Sequence, residues 1–216
     1  MFEKYDCILS DFDGTISKYD VIHSFISTFG KGNWKEIEQS WCRGEITSKE
    51  CFDIQFERLN GMDEKTFHDF INTVEIDLSF IEFYKIAHSE NKEIILVSDG
   101  LDVFIESIFN RFNINIPIFS NKLNIKNVNG KLYFKIDYPH IKHDCEVGLG
   151  CCKCAASKLY GDNFLYIGDG LSDRCIAKKA QTLFAKKHLE DYCKRENIKY
   201  HHFDTFNDIM NVLVQG

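Results

Sequence analysis

Cys7-Ile8-Leu9-Ser10-Asp11-Phe12-Asp13-Gly14-Thr15-Ile16 decides the fold of this chain. A short apolar run ends abruptly in two acids spaced two apart, then a glycine. A run of that length reads as a strand buried on both faces of a parallel sheet. The glycine lets the chain turn sharply straight after it. Two carboxylates side by side at a strand end are costly without a counter-charge, so a cation is expected beside them.

The same grammar recurs twice. Ile94-Ile95-Leu96-Val97 runs into Ser98-Asp99-Gly100, and Phe164-Leu165-Tyr166-Ile167 runs into Gly168-Asp169-Gly170-Leu171-Ser172-Asp173. A helical pattern follows each time. In an open parallel sheet, ligands bind in the crevice outside the carboxyl ends of the strands. Asp11, Asp13, Ser98 and Asp169 are therefore expected in one site.

Residues 19–74 have a different texture, with helix-like segments at about 20–29, 33–43, 47–59 and 63–73. The breaks fall at Gly30-Lys31-Gly32-Asn33, Gly44-Glu45 and Asn60-Gly61. Thr47 and Glu50 have the spacing of a capping box, and Phe52, Phe56 and Leu59 share one helical face. No strand pattern interrupts this stretch, so it reads as a small helical unit inserted into the core. Phe25, Phe29, Trp34 and Trp41 are expected to form its own interior.

Beyond it, the pattern predicts a helix over 77–90, a strand over 92–98, a helix over 101–111 and a third parallel strand over 116–120. Residues 122–136 alternate apolar and polar on both sides of Asn129-Gly130, a tight-hairpin signature. A loop leads to a helix at 153–160. Strands at 164–167, 182–185 and 198–203 then alternate with helices at 171–179, 187–196 and 205–214. The reading is an α/β protein: a Rossmann-like parallel sheet core (residues 1–18 and 75–216), an inserted helical cap (19–74) and a β-hairpin.

The 216 residues suffice for one such domain with an insert. No apolar run approaches the ~20 residues of a spanning helix, and the first residues lack a basic-then-apolar export pattern. Nine cysteines, an odd count, with no export signal suggest reduced thiols and a cytoplasmic location. A net charge of −7 argues against a nucleic-acid partner, and no membrane partner is indicated. That charge also repels phosphorylated ligands, so a phosphate site must be made locally positive by a metal, a lysine and backbone N–H groups.

The set Asp11-x-Asp13-Gly14-Thr15, strand-end Ser98, a downstream lysine and Gly168-Asp169-x-x-x-Asp173 runs in one order along nearly the whole chain. In it the chain resembles the haloacid dehalogenase (HAD) superfamily, subfamily IB, whose C1 cap corresponds to residues 19–74. The resemblance implies a phosphomonoester hydrolase acting on a small-molecule phosphomonoester. Asp11 would be the nucleophile, and Asp13 the acid and base. Mg²⁺ would be held by Asp11, Asp169 and the Asp13 backbone carbonyl, with Asp173 binding the metal or orienting its hydration. Ser98 and the N–H groups of Asp99 and Gly100 would hold the phosphate. Lys153 would balance charge between nucleophile and phosphate; it is preferred to Lys158 because it opens its helix beside the loop. Asp20 and Arg43 would contact substrate from the cap side. An acid at position 13 favours complete hydrolysis, because ion-pumping relatives carry threonine there.

The segment Ile136-Asp137-Tyr138-Pro139-His140, with Cys145 and Gly150-Cys151-Cys152-Lys153, resembles the methionine-salvage phosphatases acting on 2-hydroxy-3-keto-5-methylthiopentenyl-1-phosphate. Phosphoethanolamine/phosphocholine, phosphoserine and pyridoxal phosphate phosphatases are the alternatives. Asp99, in place of the commoner glycine, would add negative charge beside the phosphate. Cys145, Cys151, Cys152 and Cys154, with His140 and His143, permit a zinc site. Their spacing departs from Cys-x₂-Cys pairs and favours a packed or redox-sensitive thiol cluster. A phosphorylatable receiver-like signalling domain is the rival of another class, set back by the helical cap and by Gly-Asp-x-x-x-Asp.

Overall fold

The computed structural model describes residues 1–142 and 150–215. β1 (Cys7–Ser10) lies inside the sheet, paired in parallel with β3 (Ile94–Leu101) on one side and β6 (Phe164–Gly168) on the other. Ser10 stands level with Leu96 and with Ile167. Asp11 and Asp169 directly follow β1 and β6 on one edge of the sheet, and Ser98 lies within β3, which runs three residues past the expected end at 98 and shifts register against β4 after Val97. The full order is β2 (Met62–Asp63), β5 (Lys131–Asp137), β4 (Ile118–Val128), β3, β1, β6, β7 (Thr182–Ala185), β8 (His201–His202).

The central strands bury both faces, as their unbroken apolar runs require. Ile8, Ile94, Leu96, Leu165 and Ile167 face one core, while Cys7, Leu9, Ile95, Val97, Phe164 and Tyr166 face the other. The first core is covered by α5 (Ser79–Ser89), α6 (Asp102–Asn110) and α10 (Phe206–Gln215). The second is covered by α7 (Lys153–Tyr160), α8 (Arg174–Ala177) and α9 (Lys187–Glu196).

The insert folds as α1 (Val21–Phe29), α2 (Trp34–Cys42), α3 (Ser48–Glu57) and α4 (Glu64–Thr73). The capping box forms in both halves: Glu50 N–H donates to Thr47 Oγ1 at 3.2 Å, and Thr47 N–H to Glu50 Oε2 at 2.8 Å. Aromatic rings join this unit to the core. Phe25 lies 5.0 Å and Phe67 5.1 Å from the Phe104 ring of α6, and Phe56 lies 5.9 Å from Phe134 of β5. Such pairs add about 0.5–1.5 kcal/mol each beyond burial. Arg111 donates to the carbonyls of Ile71, Asn72 and Val74, satisfying the open end of α4 from the core side.

Several expectations are corrected. The third parallel strand and the first hairpin arm are one element, β4, parallel to β3 at its start and antiparallel to β5 beyond Lys122. The insert contains a strand after all: β2 pairs antiparallel with β5, so the hairpin is joined to the helical insert as well as to the sheet. The helix expected over 171–179 is a 3₁₀ turn, Leu171–Asp173, followed by α8, and the last strand shrinks to His201–His202. Phe25 is buried and Phe29 and Trp34 half-buried, but Trp41 is exposed.

Candidate active site

Asp11 follows β1 directly. Its N–H donates to the Ile167 carbonyl at 2.9 Å, which extends the β1–β6 ladder by one residue and sets where the carboxyl begins. Lys153, only 2% exposed, opens α7 and places Nζ 2.8 Å from Asp11 Oδ1 and 2.5 Å from Asp173 Oδ1. Burial pushes this ammonium down, but the Asp11 and Asp173 carboxylates outweigh it and hold Lys153 above its ordinary value. The lysine stays charged.

Asp173 is fully buried and wholly engaged. Oδ1 accepts from Lys153 and, at 2.6 Å, from the Tyr166 hydroxyl; Oδ2 accepts from the N–H groups of Asp169 and Gly170 at 3.0 Å each. Gly168 permits this, because a Cβ there would stand 2.4 Å from Asp173 Oδ2. Asp169 pairs with Lys187 at 2.9 Å, and Lys187 Nζ also donates to the Gly14 carbonyl at 2.9 Å. The chain turns at Gly14 with φ +72°, and a Cβ there would meet Asp169 Oδ2 at 2.3 Å. Glycine is required twice over, by the left-handed turn and by the close approach.

Asp13 Oδ1 accepts from Val21 N–H at 2.8 Å, so the first turn of α1 is aimed at it. Ser98 Oγ stands 3.5 Å from Asp13 Oδ2, longer than a normal hydrogen bond, and accepts from Gly100 N–H at 2.9 Å. Gly100 lines the same spot, since a Cβ there would lie 2.7 Å from Asp13 Oδ2. Burial raises Asp11, Asp13 and Asp169 above the usual carboxylate range, reinforced by Asp173 for Asp11 and Asp169 and by Asp20 for Asp13. Four acids share two lysines, a deficit that a divalent cation would fill.

The residues fit such a cation. Asp11, Asp169 and Asp173 each offer a carboxylate oxygen within 4.8 Å of the others. The donor set is all oxygen, which suits Mg²⁺. Because both Asp173 oxygens already accept two hydrogen bonds each, Asp11 and Asp169 are the readier ligands and Asp173 the orienting one.

The site residues read from the sequence divide into two groups. Asp11, Asp13, Ser98, Gly100, Lys153, Asp169 and Asp173 converge. Asp99, which was expected to leave a charge beside the phosphate, instead accepts from Ser48 Oγ (2.9 Å), Asn121 Nδ2 (3.1 Å) and Cys151 N–H (2.7 Å). Its carboxylate ties cap, hairpin and cysteine loop together. Asp20 caps α1, accepting from His23 N–H at 2.8 Å. Arg43, at the end of α2, is exposed and donates to Glu45 at 2.6 and 2.9 Å and to Ser40.

His143 and Cys145 lie outside the described residues. His140 stacks on Phe119 with ring centroids 3.6 Å apart. Among the described residues, the one grouping of three or more His/Cys/Asp/Glu compatible with a metal is the aspartate trio, while Cys151, Cys152 and Cys154 are buried in one apolar cluster against the sheet. Lys187 and Tyr166 were missed. A lysine opening a helix reads as surface charge, but its positive φ of 49° marks a backbone held in an uncommon conformation.

Residues 7–198 match the family described as Putative Phosphatase. The chain is 31% identical over 212 residues to Pdp3-interacting factor 1 of Schizosaccharomyces pombe, covering 94% of this chain and 92% of that one. It is 28% identical over 211 residues to 2-hydroxy-3-keto-5-methylthiopentenyl-1-phosphate phosphatase of Bacillus cereus, covering 95% and 94%. Among solved structures, a substrate-bound phosphoserine phosphatase complex shares the fold with TM-score 0.72 and 19% identity, over 97% of this chain and 99% of that one. With the family match spanning most of the chain, this protein belongs to the Putative Phosphatase family and is a phosphatase, with a fold shared with a haloacid dehalogenase family hydrolase and with phosphoserine phosphatases.

Proposed function

We propose that the chain is a Mg²⁺-dependent phosphomonoester hydrolase working through an aspartyl-phosphate on Asp11. Its substrate would be a small phosphorylated metabolite, 2-hydroxy-3-keto-5-methylthiopentenyl-1-phosphate first among the candidates. The observation that carries the reading is the Lys153 ammonium held between Asp11 and Asp173 at the strand edge.

Asp11 attacks phosphorus in line, while Lys153 steadies its carboxylate and faces the charge on the transferred oxygens. Ser98 and the N–H groups of Asp99 and Gly100 hold those oxygens. Asp13, raised by burial and by Asp20, carries the proton for the leaving alcohol. The same carboxyl then takes a proton from water as the acyl-phosphate breaks down. Asp11 and Asp169 would hold Mg²⁺, which would supply charge neutralisation for the phosphoryl group. The cap, docked by β2 and by the Ser48–Asp99 bond, excludes water.

The curated Bacillus relatives support the methionine-salvage substrate. The test is phosphate release from a panel: that intermediate, phosphoethanolamine, phosphocholine, phosphoserine and pyridoxal phosphate, each with Mg²⁺ and with EDTA. The methionine-salvage intermediate should lead in kcat/KM by at least about tenfold, and EDTA should abolish every rate. A different leader would overturn the substrate assignment, and undiminished turnover in EDTA the metal role.

A further inference from the structure

Behind the catalytic lysine, Cys154 Sγ lies 3.3 Å from Cys175 Sγ. Cys154 follows Lys153 in α7, and Cys175 lies in α8, which starts immediately after Asp173. The two sulfurs thus join the same two segments that the Lys153–Asp173 ion pair joins. Cys154 is buried and Cys175 half-buried, and both line a groove of 690 Å³ together with buried Phe119 and exposed Leu159. Among the described residues, none of Asp11, Asp13, Ser98, Lys153, Asp169 or Asp173 lines that groove.

We propose that Cys154 and Cys175 are a dithiol modification site, which a peroxide oxidises to a disulfide that suppresses phosphatase activity. Cys175, the more exposed sulfur, attacks the peroxide. An S–O bond forms, the O–O bond breaks, and the thiol proton leaves with the departing oxygen as water. Cys154 then attacks the sulfenic sulfur: the S–S bond forms, the S–O bond breaks, and the Cys154 proton leaves with hydroxide as a second water. Two thiols lose two electrons in all, and one peroxide becomes two waters.

Closing from 3.3 Å to the ~2.0 Å of a disulfide draws the sulfurs together by more than 1 Å. The strain falls on the first turn of α7 and on the four residues of α8. Lys153 and Asp173 sit at those points, and misplacement of catalytic groups on that scale costs up to about 10²-fold in rate.

The inference rests on the phosphatase reading for its consequence but not for the cross-link. Hydrogen peroxide is the probe, followed by tryptic mass mapping under non-reducing conditions and by phosphate release before and after dithiothreitol. The expected result is a linked peptide pair containing Cys154 and Cys175, with at least about tenfold loss of turnover that dithiothreitol restores. Cys154→Ser and Cys175→Ser, each checked by melting, should keep basal turnover and resist peroxide. No linkage between these cysteines, linkage with turnover unchanged, or equal inhibition of the serine variants would each overturn the proposal. Because linkage is read by mass, it stands or falls even if the phosphatase assay finds no substrate.

Discussion

Gly14→Ala places the loop between nucleophile and metal ligand under a defined stress. The backbone there has φ +72°, where an alanine costs about 1–2 kcal/mol. The added methyl would stand 2.3 Å from Asp169 Oδ2 and 2.9 Å from Lys187 Nζ. The first distance is about 1 Å short of van der Waals contact, so the Asp169 carboxylate must yield by that amount. A 1 Å displacement of a catalytic group costs on the order of 10²-fold, or about 2.7 kcal/mol of barrier. Gly130→Ala is the control. Its φ is +77°, but nothing lies within 4 Å of the added methyl. Both variants should lose about 1–2 kcal/mol of stability, a fall of about 2–4 °C in Tm per kcal/mol at this chain length. Only Gly14→Ala should lose about 100-fold in kcat. Turnover of Gly14→Ala within threefold of the parent, or an equal loss in Gly130→Ala, would refute the argument that Asp169 must sit against the glycine.

Lys187→Gly should relieve the left-handed backbone at φ 49° and raise stability by about 0.5–1 kcal/mol. It should also cut kcat about tenfold, because the brace between Asp169 and the Gly14 carbonyl is gone. Denaturation and steady-state kinetics on one preparation read both, and unchanged kcat would remove Lys187 from the site. Ser48→Ala takes one of three donors from Asp99 and should cost about 1 kcal/mol in urea unfolding; no loss would show that the cap is held without that bond.

The convergence of Asp11, Ser98 and Asp169 was legible because each strand of the trio is a buried apolar run followed by an acid or serine, and parallel pairing does the rest; that β3 continues past Ser98 to Leu101 was not. Helices α1 to α4 were legible from glycine breaks and a capping box that forms as written. What escaped depends on partners distant in sequence. Asp99 looked like an unbalanced charge because Ser48, Asn121 and Cys151, its donors, lie in three separate segments. β4 was divided in two because its residues carry no mark where a parallel partner gives way to an antiparallel one. β2 escaped because two residues are too few for any alternation. Lys187 escaped because a lysine 48% exposed obeys every surface rule while its ammonium points at Asp169.

The central claim is that Asp11 takes the phosphoryl group. Rapid mixing of enzyme, Mg²⁺ and a turned-over phosphomonoester, followed by acid quench and borohydride reduction, converts an acyl-phosphate to homoserine at the attacked residue. Homoserine is expected at position 11 in the parent protein and none in Asp11→Asn, which should be folded and inactive. Rapid turnover with no reduced residue at position 11, or reduction at another aspartate, would contradict it.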